Sequence, residues 1–232
     1  MLDELELMRL HIAALFTLDA SGHLLCVNEP GNRPAPRVFL GRTPVGCVLR
    51  TRADVADTVA AAAGALGDTE PTRVPLAQRP HCGDAIRTLL ARDAPVESVW
   101  SGPAYCIDTS TLADPANAVR ITAANERLME AFPDWRNEVP LRNPFVVVVE
   151  AGRAVALCCS VRITPGAHEA GVETLPDSRG RGYASSAVAA WGKAVAALGA
   201  LPLYSTSTEN AASQGVARRL RMRLFGLDYH IT

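Results

Sequence analysis

The stretch Val172-Glu-Thr-Leu-Pro-Asp-Ser-Arg-Gly-Arg-Gly-Tyr-Ala-Ser185 has the residue types needed to hold an anion. It passes from an apolar run through a Pro-Asp-Ser break into a glycine-rich turn, then straight into a long helical pattern. The first turn of a helix has backbone N–H groups with no partner inside the helix. The aligned peptide dipoles add partial positive charge there. Gly180 and Gly182 let the backbone come close to an anion, and Arg179 and Arg181 add formal charge. Together these features describe a cradle for a phosphate or pyrophosphate. The plainer alternative is a solvated basic turn.

Two carboxylates lie just upstream, in His168-Glu-Ala-Gly-Val-Glu-Thr174. Glu169 and Glu173 are four residues apart, so strand alternation puts them on one face. Burying either would be costly without a purpose. Most glutamates face solvent, and that reading stands beside the functional one.

Other phosphate motifs fit less well. The P-loop pattern G-x-x-x-x-G-K-[ST] is absent. A dinucleotide fingerprint needs a third glycine where Ser185 stands, and an acidic residue about 20 positions on, at the end of a second strand. The run Pro202–Thr206 offers none.

The elements that must position these residues follow from periodicity and turn chemistry. Strands are expected at Ala118–Thr122, Pro144–Glu150, Ala154–Ile163, His168–Leu175, Pro202–Thr206 and Arg223–Ile231. Helices are expected at Ala123–Phe132, at Arg181–Leu198 with Gly199 as its stop, and at Asn210–Leu220. Upstream, a short helix over 2–10 precedes strands His11–Leu18 and His23–Val27 around the turn Asp19-Ala-Ser-Gly22. Arg37–Leu40 and Gly46–Arg50 read as strands, Asp54–Leu66 and Gly83–Arg92 as helices, and Glu97–Asp108 as a strand. The segment Thr109–Asn117 reads as a connector. The expected division is therefore residues 1–114, an α+β region of unassigned role, and residues 115–232.

Within that second part, Arg179-Gly-Arg-Gly-Tyr-Ala184 matches [RQ]-x-x-G-x-[GA], the signature of the GNAT superfamily of N-acetyltransferases, at Arg179, Gly182 and Ala184. Thr174-Leu-Pro176 upstream and Asn210-Ala-Ala-Ser213 downstream also resemble that family. The likeness covers about residues 118–232 and is similar to a subgroup with an extra N-terminal region. It implies an α/β (α+β) fold with a mixed, mostly antiparallel sheet flanked by helices, beside an additional N-terminal α+β domain. It implies acetyl-CoA as co-substrate, with no metal. The turn from Arg179 through Gly180, Arg181, Gly182 and Tyr183 to Ala184 would hold the pyrophosphate. Val172 and Thr174 would line the pantetheine arm on one side, and Asn210 and Ser213 on the other. Asn210 also suits a plain helix N-cap.

The same resemblance implies transfer of acetyl to an amine of a small molecule or peptide, with a strand glutamate as general base. Glu169 is the preferred base; Glu173 is a second base candidate or a ligand for the acceptor ammonium. The sequence departs from the family where a tyrosine commonly acts as general acid, because that register falls on Ala217. Tyr204, Tyr229 or Ser213 are the substitutes. Leu220-Arg-Met222 stands where Leu-Gly-Phe is frequent, which puts the last helical turn in doubt. His168 and His230 are candidate proton carriers, beside the commoner structural role of a lone histidine. Trp100, Tyr105 and Trp135 are candidates for an acceptor cleft, beside the commoner core role. The alternative function is a CoA-binding module without turnover.

Bulk properties agree with this. Net charge is −1, without the basic excess of a nucleic-acid binder. Six cysteines form no C-x-x-C pair or zinc-ligand spacing. Cys158 and Cys159 should point to opposite sheet faces. The start Met-Leu-Asp-Glu lacks the charge and apolar run of a secretory signal, and no apolar stretch reaches about 18 residues. The expectations are a cytoplasmic protein without nucleic-acid or membrane partners, with a homodimer left open.

Overall fold

A computed structural model describes residues 2–232. In chain order the elements are α1 (Glu4–Leu15), β1 (Phe16–Leu18), β2 (Leu24–Val27), β3 (Val38–Thr43), β4 (Gly46–Thr51), α2 (Asp57–Gly67), α3 (Gly83–Asp93) and β5 (Val99–Cys106). There follow β6 (Ala118–Arg120), α4 (Pro133–Arg136), β7 (Phe145–Glu150), β8 (Arg153–Ile163), β9 (Ala167–Thr174), α5 (Tyr183–Ala196), β10 (Leu201–Ser205), α6 (Ala211–Arg219) and β11 (Arg223–Ile231). These form two compact units. One takes in the chain up to Tyr105 with Ser205–Asn210 and Leu224–Thr232; the other takes in Cys106–Tyr204 and Ala211–Arg223.

In the first unit the strands run in the order β4-β3-β11-β5. β3 is antiparallel to both β4 and β11. The expected strand at His11–Leu18 is corrected: α1 continues to Leu15, and only Phe16–Leu18 is extended. The reason is legible in the spacing. Leu7, Met8, His11, Ile12 and Leu15 recur at helical intervals and are all buried. Asp3 and Glu6 close a reciprocal capping box at the start. The polar member of the stripe is paired: His11 Nε2 lies 2.8 Å from Asp228 Oδ2. On the other face Val38, Leu40, Tyr229 and Ile231 pack with Ile86 and Leu90 of α3.

In the second unit the order is β10-β9-β8-β7-β6. Neighbours from β6 to β9 are antiparallel, while β10 is parallel to β9. One face carries a core of Phe145, Val147, Leu157 and Cys159 under Met129 and Phe132. The expected helix Ala123–Phe132 is corrected here: residues Glu126–Ala131 form a 3-10 helix, and α4 is a separate short helix after it. Pro133 explains the break, since it lacks an N–H and disfavours helical geometry at the residue before it. The opposite face is covered by α5, whose fully buried Trp191 donates from Nε1 to Ser160 Oγ at 3.0 Å. Cys158 and Cys159 are both fully buried. Burial pushes the Cys159 thiol up to about 12 and raises Cys158 as well.

Candidate active site

The sheet of the second unit parts between β9 and β10. Their registered pairs are Leu201↔Ala167, Pro202↔His168 and Leu203↔Glu169. Beyond Glu169, β9 continues for five residues along β8 alone among the described residues, from Ala170↔Ser160 to Thr174↔Ala156. β10 continues as Tyr204 and Ser205. Parallel strands that pair over three rungs and then diverge leave a cleft with backbone polar groups on its walls. Val172 and Thr174 lie on this stretch of β9.

β9 leads through a 3-10 turn at Pro176–Ser178 into the glycine turn and α5. Asp177 anchors the turn: it accepts from Ser178 Oγ at 2.9 Å and from Arg153 Nη1 at 3.0 Å. These bonds hold its carboxyl below the usual range, the Ser178 bond most strongly. Gly180 and Gly182 both adopt left-handed backbone, at φ 77 and 87. This is the conformation for which glycine has no steric cost. A Cβ at Gly180 would meet nothing within 4 Å. A Cβ at Gly182 would stand 2.6 Å from Nη1 of Arg219.

Gly182 is the N-cap of α5, and its carbonyl accepts from Ser186 at 3.2 Å. The amides of Tyr183, Ala184 and Ser185 precede that first helical bond, so they are the ones aimed at the turn. The two sequence-predicted arginines are placed differently. Arg179 donates from Nε to Thr174 O at 3.3 Å, which ties the turn back to β9. Arg181 lies over the Tyr183 ring, 5.0 Å from its centroid, and 4.0 Å from Glu150 Oε1. Partial burial raises the Tyr183 phenol, helped by a hydrogen bond with Glu150. Arg219, at the end of α6, is a cation at the turn that the sequence reading missed. No local pattern marks it, because α6 brings it there from 37 residues down the chain.

The two glutamates share a face of β9, as alternation requires. Gly171 between them points toward Trp135 and Val161, and Trp135 Nε1 donates to Glu173 Oε2 at 2.5 Å. His168 points to the opposite face, where Nδ1 meets Ser160 Oγ at 2.9 Å. Burial lowers the His168 pKa, and the structural reading of this histidine fits that environment. Glu169 is 1% exposed and stands at the last rung before the strands part, opposite Arg162 of β8. Glu173 is exposed, one residue before the end of the strand.

On the β10 side Tyr204 is the first residue past that rung. It is 3% exposed, and its hydroxyl lies 2.5 Å from Ser213 Oγ in the first turn of α6. Ala217, at the register where the resemblance implies a tyrosine, is buried. Asn210 immediately precedes α6 and is exposed; its own N–H donates to Ser207 O. Tyr229 belongs to the core of the first unit. His230 stacks there with Trp100 and Phe39, at 4.7 and 4.9 Å. The last turn of α6 keeps its shape without glycine: Arg221 takes φ 50, and Met222 N–H reaches back to Ala217 O.

Among the described residues no group of three or more His, Cys, Asp or Glu is arranged to hold a metal ion. No helix there is long and apolar enough to cross a membrane.

The site is thus a strand β9 that leads through a left-handed glycine turn into the N-terminus of α5 and pairs with the parallel strand β10 over three rungs only. The profile of the acetyltransferase (GNAT) domain matches residues 86–223, more than half of the chain. The chain belongs to the GNAT acetyltransferase family. Among solved structures, an acetyltransferase of the GNAT family from Colwellia psychrerythraea is 11% identical, with TM-score 0.50. The match covers 100% of this chain and 98% of that one. It shares the mixed, mostly antiparallel sheet flanked by helices. A GNAT-family acetyltransferase from Novosphingobium aromaticivorans is 21% identical, with TM-score 0.44, over 59% of this chain and 65% of that one. The match thus spans less than two thirds of that relative. No curated protein matches the sequence.

Proposed function

We propose that the chain moves an acetyl group from acetyl-CoA to an amine of a small molecule or peptide. The observation that carries this is the parting of β9 and β10 at Glu169 and Leu203, with the glycine turn at the far end of the open stretch. The open space at Gly180 and the left-handed cap at Gly182 suit close approach of a pyrophosphate. Val172 and Thr174 would face the pantetheine arm from β9, and Asn210 and Ser213 from the start of α6. Bound acetyl-CoA supplies the thioester; everything else is asked of this chain's side chains.

With phosphates at the turn, the reacting end of the arm falls near the inner end of the cleft. That separates the two carboxylates. Glu169 stands at the inner end and takes a proton from the attacking amine. Glu173, about 13 Å further along the strand at roughly 3.3 Å per residue, is too distant for the same proton. In the net step the amine N–C bond forms, the C–S bond breaks, one proton leaves nitrogen and one reaches sulfur. Tyr204, hydrogen-bonded to Ser213 across the cleft, is the hydroxyl best placed to give the second proton, in place of the missing tyrosine at 217. The buried Ala217 keeps a second reading in view, a CoA-binding module without turnover.

We also propose that residues 1–114 hold none of the coenzyme contacts, and that the protein works in a reducing compartment, the cytoplasm. Six free thiols support the latter.

The test is kinetic. Glu169→Gln keeps size and removes the proton acceptor, so kcat/KM should fall by roughly 10²–10⁴ at neutral pH with CoA affinity unchanged. The loss should shrink at high pH, where the amine deprotonates unaided. Full activity in Glu169→Gln beside a dead Glu173→Gln would reverse the two roles. A wild-type protein that binds CoA and releases none in the presence of any amine favours the second reading.

A further inference from the structure

We propose that the second unit carries a ligand site apart from the coenzyme cleft: a cavity at the β6 edge of its sheet that takes a small organic monocarboxylate with an apolar body. Arg120 and Arg136 hold the carboxylate, and Ile121 and Val139 receive the apolar part. The site does not depend on the acetyl-transfer reading.

The cavity has a volume of about 610 Å³, and its lining includes Arg120, Ile121, Arg136, Asn137, Val139 and Asn143. Pockets for small ligands run from roughly 300 to 1,000 Å³. β7 and β8 separate β6 from β9. At about 4.8 Å per strand, β6 lies roughly 14 Å from the strand that bears Glu169. A small molecule bound at this edge is therefore not the one that reacts there.

Amide side chains tie the walls. Asn125 Oδ1 accepts from the Thr122 N–H at 2.7 Å, and its Nδ2 donates to Arg120 O at 2.9 Å, which closes the chain after β6. Asn143 Nδ2 donates to Val139 O at 3.0 Å on the other wall. Ile121 is 2% exposed, and its N–H donates to Phe145 O at 2.8 Å. The arginines are left over from this framework. Among the described residues the Arg120 guanidinium has no hydrogen bond or ion pair. Arg136 turns Nε toward Glu126 Oε1 at 3.4 Å, with both side chains about half exposed. An exposed pair of that kind holds weakly, and the Nη groups remain for a second carboxylate.

Two arginines against one glutamate leave the lining with a single net positive charge, on a chain whose net charge is −1. The guanidinium fork matches a carboxylate. A monoanion balances that charge, and an amine meets repulsion. Inorganic phosphate has no apolar part to place against Ile121 and Val139.

The experiment titrates hydrocinnamate into the full chain and follows the backbone amide signals by NMR. Phenylpropylamine, phenylpropanol and inorganic phosphate are the comparison ligands. Hydrocinnamate should shift the signals of residues 120–123 and 137–143 and leave those of 180–185 in the glycine turn unmoved. It should bind at least about tenfold more tightly than each comparison ligand, corresponding to about 1.4 kcal/mol. Arg120→Gln should weaken hydrocinnamate by about the same factor. Arg120→Lys keeps the charge, loses the fork and should weaken it by less. Saturating CoA should leave the hydrocinnamate affinity unchanged. Equal affinity for the acid and for the amine or the alcohol overturns the proposal, as does tighter binding of phosphate. So do shifts confined to 180–185, displacement by CoA, or no shifts at all. A folded Arg120→Gln that binds hydrocinnamate as the wild type does overturns it as well.

Discussion

Two clusters of charge, one in each unit, are built in opposite ways. In the first, ionisable groups are sealed in and paired with one another. Arg42 and Glu70 lie 3.7 Å apart with side chains 1% exposed each. Glu70 also accepts from the amides of His81 and Cys82, and Arg42 donates to the carbonyls of Pro75 and Gln78. His11 and Asp228 form a second pair with no exposure at all. In the second unit, Arg179, Arg181 and Arg219 stand exposed around two left-handed glycines and the start of α5. Buried, paired charges fix architecture; charge held open at a helix N-terminus is arranged for something that arrives later. A strongly bound ionic group is thus poor evidence of function here, and an incompletely used one is better evidence.

That contrast breaks most visibly at Arg42. Arg42→Met leaves Glu70 buried without its cation, which should cost about 3–5 kcal/mol in urea unfolding. An equal truncation at exposed Arg181 should cost under about 0.5 kcal/mol. Comparable losses at the two sites would erase the distinction drawn above.

The two glycines of the turn sharpen it next. Gly180→Ala has room for its methyl and pays only for the left-handed backbone, about 1–2 kcal/mol. Gly182→Ala carries the same backbone cost and also displaces Arg219. It should therefore lose more stability than Gly180→Ala and weaken CoA binding more, both read from thermal unfolding with and without CoA. The opposite order would mean that Arg219 is indifferent to the turn.

Smaller effects go the other way. Arg221 holds a left-handed conformation that costs a non-glycine residue energy. Arg221→Gly should stabilise by about 0.5–1 kcal/mol, net of the entropy glycine loses on folding. Activity should be unchanged, since the turn of α6 is kept in either case.

The smallest concerns pH. Burial depresses the His168 pKa below its ordinary 6.5. The unfolded chain then binds the proton more readily, so stability is full above pH 6.5 and falls as pH drops toward the folded value. His168→Gln should flatten that acid limb in unfolding experiments. An unchanged slope would assign the acid sensitivity to other groups.

Much of the second unit could be read from sequence because its signals are local. Gly180 and Gly182 announce a backbone that other residues avoid, and the long apolar helix after them fixes which end faces the turn. Glu169 and Glu173 fell on one face by strand alternation alone. What could not be read depends on distance along the chain. Trp135 meets Glu173 across 38 positions, and Arg219 reaches Gly182 only because α6 packs back. The region 123–136 misled because Pro133 splits it, and an apolar pattern does not separate a 3-10 segment from an α-helix. The stretch His11–Leu15 misled because a histidine on an apolar stripe reads as a break until its partner Asp228 is known.

The most direct test of the central claim is calorimetric titration of CoA into the wild type and into Gly182→Asp, with ATP and NAD as comparison ligands. CoA should bind the wild type more tightly than either comparison ligand. Gly182→Asp, still folded by circular dichroism, should weaken CoA by at least about tenfold, or about 1.4 kcal/mol. Unchanged CoA affinity in a folded Gly182→Asp, or no preference for CoA over ATP and NAD, would contradict it.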